Sequence, residues 1–417
     1  MDAVAATDSD RRAALSLLNA QAVRERAHEI LEIGLEDRLD HFRVALNQLD
    51  ASADVVAAVI RNRYPTLAVP FHARWRQFIV LGQDAWQEVA AKRAWPDRAT
   101  RARAEFDLAI VSVLLDAGAG PLWCYRDAVS AAAVGRSEGL ALASLRMFEA
   151  GTFSAVASDP LRADAVRLAA IDAPTLSAGF GVSEFNPLVG LEARVALIAR
   201  LGAVVTSNPA VFAGKDAARP GGLYDYLVAQ CEDARLSATK ILEQVLIHLG
   251  PIWSGRLSLG GMPLGDTWRH PVIRRADPTD GLVPFHKLSQ WLVYSLIEPL
   301  VRAGIHVTDL DGLTGLAEYR NGGLFVDTSV IAVREPTAAT RPQATQSPFV
   351  VEWRALTVGL LDRIAPLVRD RLGLTAAALP LARVLEGGTW AAGRWLARQR
   401  RADGGPPIQV ISDGTVF

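Results

Sequence analysis

The chain has 417 residues, 50% of them hydrophobic and 21% charged, with 44 basic against 45 acidic side chains and a net charge of −1. That apolar fraction can bury a sizeable core and excludes disorder over most of the length. The balanced charge lacks the basic excess by which nucleic-acid binders neutralise phosphates, so nucleic acid is not the expected partner. Two cysteines, Cys124 and Cys231, are too few and too far apart in sequence for a disulfide framework or a Cys-x-x-Cys metal knuckle. No apolar run is long enough to cross a bilayer, and the N-terminal MDAVAATDSDRR lacks the apolar stretch of a secretory signal. The expectation is a cytoplasmic protein without a membrane partner.

In chain order, segments rich in Ala, Leu, Arg and Glu with apolar residues at i, i+3, i+4 and i+7 predict helices at 11–33, 101–115, 190–201 and 223–249. Leu227, Cys231, Leu236, Ile241, Val245 and Leu249 trace the apolar face of the last. Turn-forming residues at 277–284 precede a further helix that begins near 285. GLFVDTSVIAV at 323–333 reads as a strand, as does the tail 408–417 around its Asp413-Gly414 turn signal. Between them, the Pro/Ala/Thr-rich 335–348 reads as an exposed linker, and 349–374 and 382–401 as helices. The basic WLARQRR that closes the last helix reads as a solvated C-terminus, where cations favour the macrodipole. No fixed-period repeat is present. The expected architecture is mainly α with a few short strands: one domain over 1–417 with a cleft between two helical lobes and a candidate lobe boundary at 215–222.

Five segments carry candidate chemistry. In PFHARWR at 70–76, His72, Arg74 and Arg76 alternate with aromatic groups, which suits either an anionic, nucleotide-like ligand or an interhelical packing turn. The small-residue run at 115–123 and the segment at 136–139 offer Asp116, Trp123, Arg136 and Glu138 as pocket walls, with Trp123 equally suited to a core. In PFHKLSQWLVYSLIEPL, Lys287, Gln290, Tyr294 and Glu298 fall on one helical stripe, either a solvated face or a site wall, with His286 just before it. Lysine is scarce here, four residues against forty arginines, which draws attention to Lys287. Finally, TGLAEYRNGG at 314–323 crowds Glu318, Tyr319, Arg320 and Asn321 together. Glu318 there is either a structural ion-pair member or an acid, base or nucleophile whose pKa is set by burial against nearby cations. The seven histidines are scattered without zinc spacing, and no Gly-x-Ser-x-Gly elbow, P-loop or full dinucleotide fingerprint occurs, so neither metal nor cofactor is expected.

RSEGLALASLRMF, NPLVGLEARVALIARLG, PFHKLSQWLVYSLIEPL and LTGLAEYRNGGLFVD resemble the signature segments of the uracil-catabolism protein family, over roughly 39–401. Fungal and bacterial members of that family tend to be encoded beside, or fused to, uracil phosphoribosyltransferase, which implies association with other uracil-catabolism enzymes. A more distant similarity is to the queuosine salvage proteins, helical proteins akin to DNA glycosylases that cleave the N-glycosidic bond of a modified nucleoside 5′-phosphate. Phe285-His286-Lys287-Leu288-Ser289-Gln290 resembles their Phe-Tyr-Lys-Arg-Ala-Gln, and Thr314-Gly315-Leu316-Ala317-Glu318-Tyr319-Arg320 their Thr-Met-Phe-Ala-Asp-Tyr-Arg, at nearly the same separation. The match implies Lys287, Gln290, Glu318, Tyr319 and Arg320 at the active cleft of a DNA-glycosylase-like helical fold. Glu318 replaces that family's aspartate, and Asn321-Gly322-Gly323 its Pro-Gln pair, which fits a smaller leaving group than a deazapurine.

The resemblance therefore implies a hydrolase, a metal-independent N-glycosidase acting on a ribosylated intermediate of pyrimidine breakdown such as a ribosylurea, as its 5′-phosphate. Glu318 would be nucleophile or electrostatic stabiliser, Lys287 its orienting cation, and an arginine the phosphate contact. Two other classes stay open: a metal-dependent hydrolase or deaminase of a pyrimidine-derived intermediate, and a noncatalytic partner that channels intermediates.

Overall fold

The computed structural model describes residues 8–116, 118–214, 217–253 and 256–411. The fold is mainly α-helical, with strands of two or three residues paired in twos. Two compact units are present, each discontinuous in sequence. The first takes 8–72, 256–290 and 309–411; the second takes the described residues of 73–253 together with 291–308. Among the described residues no helix is long and apolar enough to cross a membrane.

The first unit is built round the helix Pro348–Leu372, whose residues 349–361 are all buried. A helix buried on every side over this stretch belongs in a core, and this one packs against helices Ala20–Leu35, Leu49–Arg63 and Tyr319–Asp327. Local chemistry fixes its ends: Ser347 Oγ accepts the Val350 N–H, Pro348 occupies the first turn, and Gly373 closes it at φ 66°. The helix expected at 11–33 is two helices, Asp8–Leu17 and Ala20–Leu35. Asn19 separates them because its side chain accepts the Ala22 N–H at 2.8 Å and caps the second.

Three further differences matter near the site. Residues 323–327 are helical, within Tyr319–Asp327, and only Ile331–Val333 forms the expected strand, antiparallel to Phe42–Val44. Helicity wins because Gly322 and Gly323 let the helix lie close to Trp353 and Pro407; a Cβ on Gly322 would sit 2.7 Å from the Trp353 ring. The expected linker at 335–348 carries a short helix, Pro336–Thr340, and a strand, Gln343–Ala344, parallel to Val410–Ile411. The Asp413-Gly414 turn lies outside the described residues. The helix expected at 382–401 changes winding midway: Leu381–Val384 and Trp390–Arg400 flank a π-helical turn, Leu385–Thr389. Gly387 and Gly388 within that turn rest on Val69, Ile60 and Val56 of the first unit.

In the second unit the helix Arg98–Leu114 is buried almost continuously from Ala102 and packs against Arg136–Glu149 and Gly222–Val228. Leu191–Ser207 approaches Ala165–Ala169 closely at Gly202. The helix expected at 223–249 is interrupted. Gly222–Val228 and Ala238–Leu249 flank the strand Arg235–Ser237, and Asp233 and Ala234 reverse the chain at φ 49° and 56°. Lys215 and Asp216 of the candidate boundary lie outside the described residues, and 217–222 falls within the second unit.

Candidate functional site

The two motifs around Lys287 and Glu318 are joined by a buried clamp in the first unit. Strand Leu282–Pro284, antiparallel to Thr267–Arg269, delivers the chain to His286, which sits at φ 48° immediately before helix Lys287–Arg302. Asp266 Oδ2 accepts the Lys287 N–H at 3.0 Å and holds that helix start. Arg354 donates to both Asp266 oxygens, at 2.8 and 2.7 Å, and through Nε to the carbonyl of Ala317 at 3.2 Å, the residue before Glu318. Burial pushes the Asp266 carboxyl up, but Arg354, Arg256 and the Trp268 Nε1–H reverse this and hold it at about 2. Gln290 reinforces the link: its amide donates to Thr314 Oγ1 at 2.7 Å and accepts the Thr314 N–H at 2.8 Å. The stripe is not a solvated face, since Gln290 and Tyr294 are fully buried.

Glu318 caps the helix Tyr319–Asp327. Its Oε2 accepts the Arg320 N–H at 2.7 Å and its Oε1 the Asn321 N–H at 2.5 Å, leaving one lone pair or more on each oxygen for another partner. Only 8% of Glu318 is exposed. Burial pushes its pKa above the ordinary carboxylate value, against the pull of those two N–H groups and then of the charges on Lys287 and His72. The motif's other members are anchored: Arg320 Nη1 donates to the carbonyl of Gly404 at 2.9 Å with its guanidinium over the half-buried Tyr319 ring, and Asn321 Nδ2 donates to the carbonyl of Leu316. Buried His286 donates Nε2–H to the Leu17 carbonyl at 2.8 Å, and burial pushes its pKa down.

His72 belongs to the same electrostatic group, and nothing in the sequence around it marks its partner. Its Nδ1–H donates to Glu386 Oε2 at 2.7 Å, and its ring lies 5.8 Å from that of Trp390. Glu386 and Trp390 sit within and just after the π-helical turn. From the same turn, Thr389 Oγ1 donates to Asn321 Oδ1 at 2.8 Å, so the turn also braces the Glu318 cap. Arg63 donates to the Glu386 carbonyl at 3.0 Å. A Glu-Gly-Gly inside an otherwise strong helical pattern was the available signal for Glu386, since paired glycines weaken a helix unless something requires them.

The remaining predicted residues lie in the second unit. Arg74 is fully buried: Nε donates to Ser112 Oγ at 2.7 Å, Nη1 to Gln77 Oε1, and its guanidinium lies over Trp291. Asp116 Oδ1 is 3.2 Å from Arg74 Nη1, close as an ion pair but off-axis for a hydrogen bond. Burial pushes the Arg74 pKa down, with Asp116 and then Glu138 opposing. Arg76 is paired with Glu298. Trp123 is core, donating to the carbonyl of Phe180 at 3.1 Å and meeting that ring edge-on. Arg136 is exposed at φ 56°, at the start of its helix. Arg194, another buried arginine, donates to the carbonyls of Leu115, Val189 and Gly118, and burial lowers its pKa to about 10. Among the described residues no three His, Cys, Asp or Glu side chains converge as metal ligands would.

Comparison with known proteins adds three findings. A family model described as protein of unknown function (DUF1688) matches residues 16–417. Over 411 residues the chain is 38% identical to "Protein urg3" of Schizosaccharomyces pombe, covering 96% of this chain and 98% of that protein. It is also 38% identical over 411 residues to "Uracil catabolism protein 4" of Lachancea kluyveri, covering 91% of this chain and 92% of that one.

Proposed function

Since this chain belongs to the DUF1688 family, with a relative named for uracil catabolism, we propose that it acts in uracil breakdown as a hydrolase of an N-glycosidic bond. Its substrate in this reading is a small ribosylated intermediate, a ribosylurea carried as its 5′-phosphate. The C1′–N bond breaks with its electron pair leaving on nitrogen, a water oxygen bonds to C1′, and the sugar passes through an oxocarbenium-like state. A carboxylate beside C1′ stabilises that developing positive charge or attacks it.

The observation that carries the reading is the state of Glu318. It is buried, raised by that burial, and opposed by Lys287 and His72 from separate segments of the chain. Groups whose pKa is displaced by burial and specific charges together are the ones active sites collect. A capping carboxylate alone would need neither a lysine nor a histidine charge nearby. The charge on Lys287 opposes the desolvation of Glu318, and the Arg354 clamp joins their two segments.

The test is release of urea and ribose or ribose 5-phosphate from ribosylurea and its 5′-phosphate by the purified protein. Wild type is expected to release both products, and Glu318→Gln to lose about 10²–10³-fold in turnover, the effect of removing one fixed electrostatic stabiliser. Unchanged turnover in Glu318→Gln removes that residue from the chemistry. Absence of urea release from either substrate by wild type overturns the reading.

A further inference from the structure

We propose that His72 and Glu386 form an acid–base dyad at this site, with His72 delivering the proton to the departing nitrogen and Glu386 positioning its ring. The inference rests on the N-glycosidase reading and goes beyond it by naming the source of the leaving-group proton. A urea nitrogen leaves poorly as an anion, so cleavage requires a donor distinct from the group that stabilises the sugar.

His72 and Glu386 are 314 residues apart in sequence, yet Nδ1–H and Oε2 meet at 2.7 Å with both side chains more than nine-tenths buried. A carboxylate on Nδ1 fixes the imidazole tautomer and orientation, directing Nε2 to proton exchange. His72 is near enough to Glu318 for its charge to lower that carboxyl's pKa. Both the dyad and the Glu318 cap are held by one element, the π-helical turn Leu385–Thr389, through Glu386 and the Thr389–Asn321 hydrogen bond. Such turns recur at functional sites, because the extra residue re-aims a side chain at the expense of regular helix. Arg63 donates to the carbonyl of Glu386, and its guanidinium lies 3.8 Å from Glu386 Oε1.

The step balances. Nε2–H of the imidazolium passes its proton to the nitrogen as the C1′–N pair departs. The resulting neutral imidazole takes a proton from the water that bonds to C1′ and returns to its starting form. Water is the only co-reactant.

The experiment compares ribosylurea 5′-phosphate with 4-nitrophenyl β-D-ribofuranoside 5′-phosphate, whose nitrophenolate leaves without a proton. His72→Gln is expected to lose about 10²–10⁴-fold on the urea substrate and under about tenfold on the aryl one. Glu386→Gln should show the same split at smaller size, and it serves in place of His72→Gln if that variant does not fold. Glu318→Gln should lose activity on both. A merely structural dyad would lower both substrates equally, and that result, or no loss on either, overturns the inference while leaving Glu318 in place. If wild type refuses the aryl substrate, added imidazole decides: restored urea release by His72→Ala supports the dyad, and no rescue overturns it. A wild type inactive on both substrates overturns the N-glycosidase reading itself.

Discussion

Asp266 and Glu318 are two buried carboxylates of the same unit, and burial pushes both of them up. Their outcomes are opposite. Asp266 receives both arms of a guanidinium, an indole N–H and a backbone N–H, and is held at about 2. Glu318 receives two backbone N–H groups and the more distant charges of Lys287 and His72, and stays above its ordinary value. Full, bidentate compensation makes an ion into scaffold, whereas partial compensation leaves a carboxyl that can respond to a charge arriving beside it. The scaffold acid exists here to aim the responsive one: Asp266 fixes the start of the Lys287 helix, and through Arg354 the same ion pair holds the carbonyl before Glu318.

The sharpest way to break this contrast is Arg354→Met. It leaves Asp266 buried without its counter-charge, which should cost about 3–5 kcal/mol in denaturant unfolding, since stranding one member of a buried pair is far worse than removing both. The double replacement Asp266→Leu with Arg354→Met should regain most of that stability while turnover stays low, because the aim of Lys287 and Glu318 is still lost. Recovery of turnover along with stability would separate the clamp from the site. Next in size is Gly393→Ala. The added Cβ would fall 2.0 Å from the carbonyl of Arg320, so the helix Tyr319–Asp327 must move and take the Glu318 cap with it. Overpacking of this kind costs about 1–3 kcal/mol, and the upper part of that range is expected in a thermal melt.

The contrast also shows what a single sequence can carry. Helical periodicity located long helices such as Arg98–Leu114, Leu191–Ser207 and Pro348–Leu372 but not Leu49–Arg63 or Arg136–Glu149. The two motifs that resemble the queuosine salvage segments hold Lys287 and Glu318, where the lysine charge opposes the effect of burial on the carboxyl. The resemblance supplied that pairing, since spacing within each motif holds no information about the other. Asp266 and Arg354 are 88 residues apart, and nothing local marks either as a partner of the other. His72 drew notice for its aromatic and basic neighbours, but its carboxylate partner lies over three hundred residues away. Gly322-Gly323 closes a motif that leads into an expected strand, and Gly387-Gly388 passes unmarked inside an expected helix, yet both pairs lie within helical turns pressed against neighbouring side chains. Close packing between distant segments overrode the intrinsic preference of glycine for irregular backbone.

Acid separates the two carboxylates by sign. The folded-state pKa of Asp266 is depressed from 3.8 to about 2, so the folded protein binds that proton less readily than the unfolded chain does. Its contribution, about 2 kcal/mol, is complete above the unfolded value and lost as pH falls through about 2. Wild type should therefore lose its advantage over Asp266→Asn across that window in chemical denaturation. Glu318 is raised, so the folded protein binds its proton more readily than the unfolded chain. Wild type should be most stable relative to Glu318→Gln below the ordinary carboxyl range, and lose ground as pH rises toward the raised folded value. This is the smallest of the effects and the most discriminating, because Gln imitates the protonated acid in shape and keeps an oxygen for the cap. Were its two N–H donors to outweigh burial, Glu318 would be stabilised as an anion and would gain ground with rising pH, as Asp266 does. Parallel slopes for the two acids would remove the distinction between scaffold and site; opposed slopes would place the unmet electrostatic demand at Glu318.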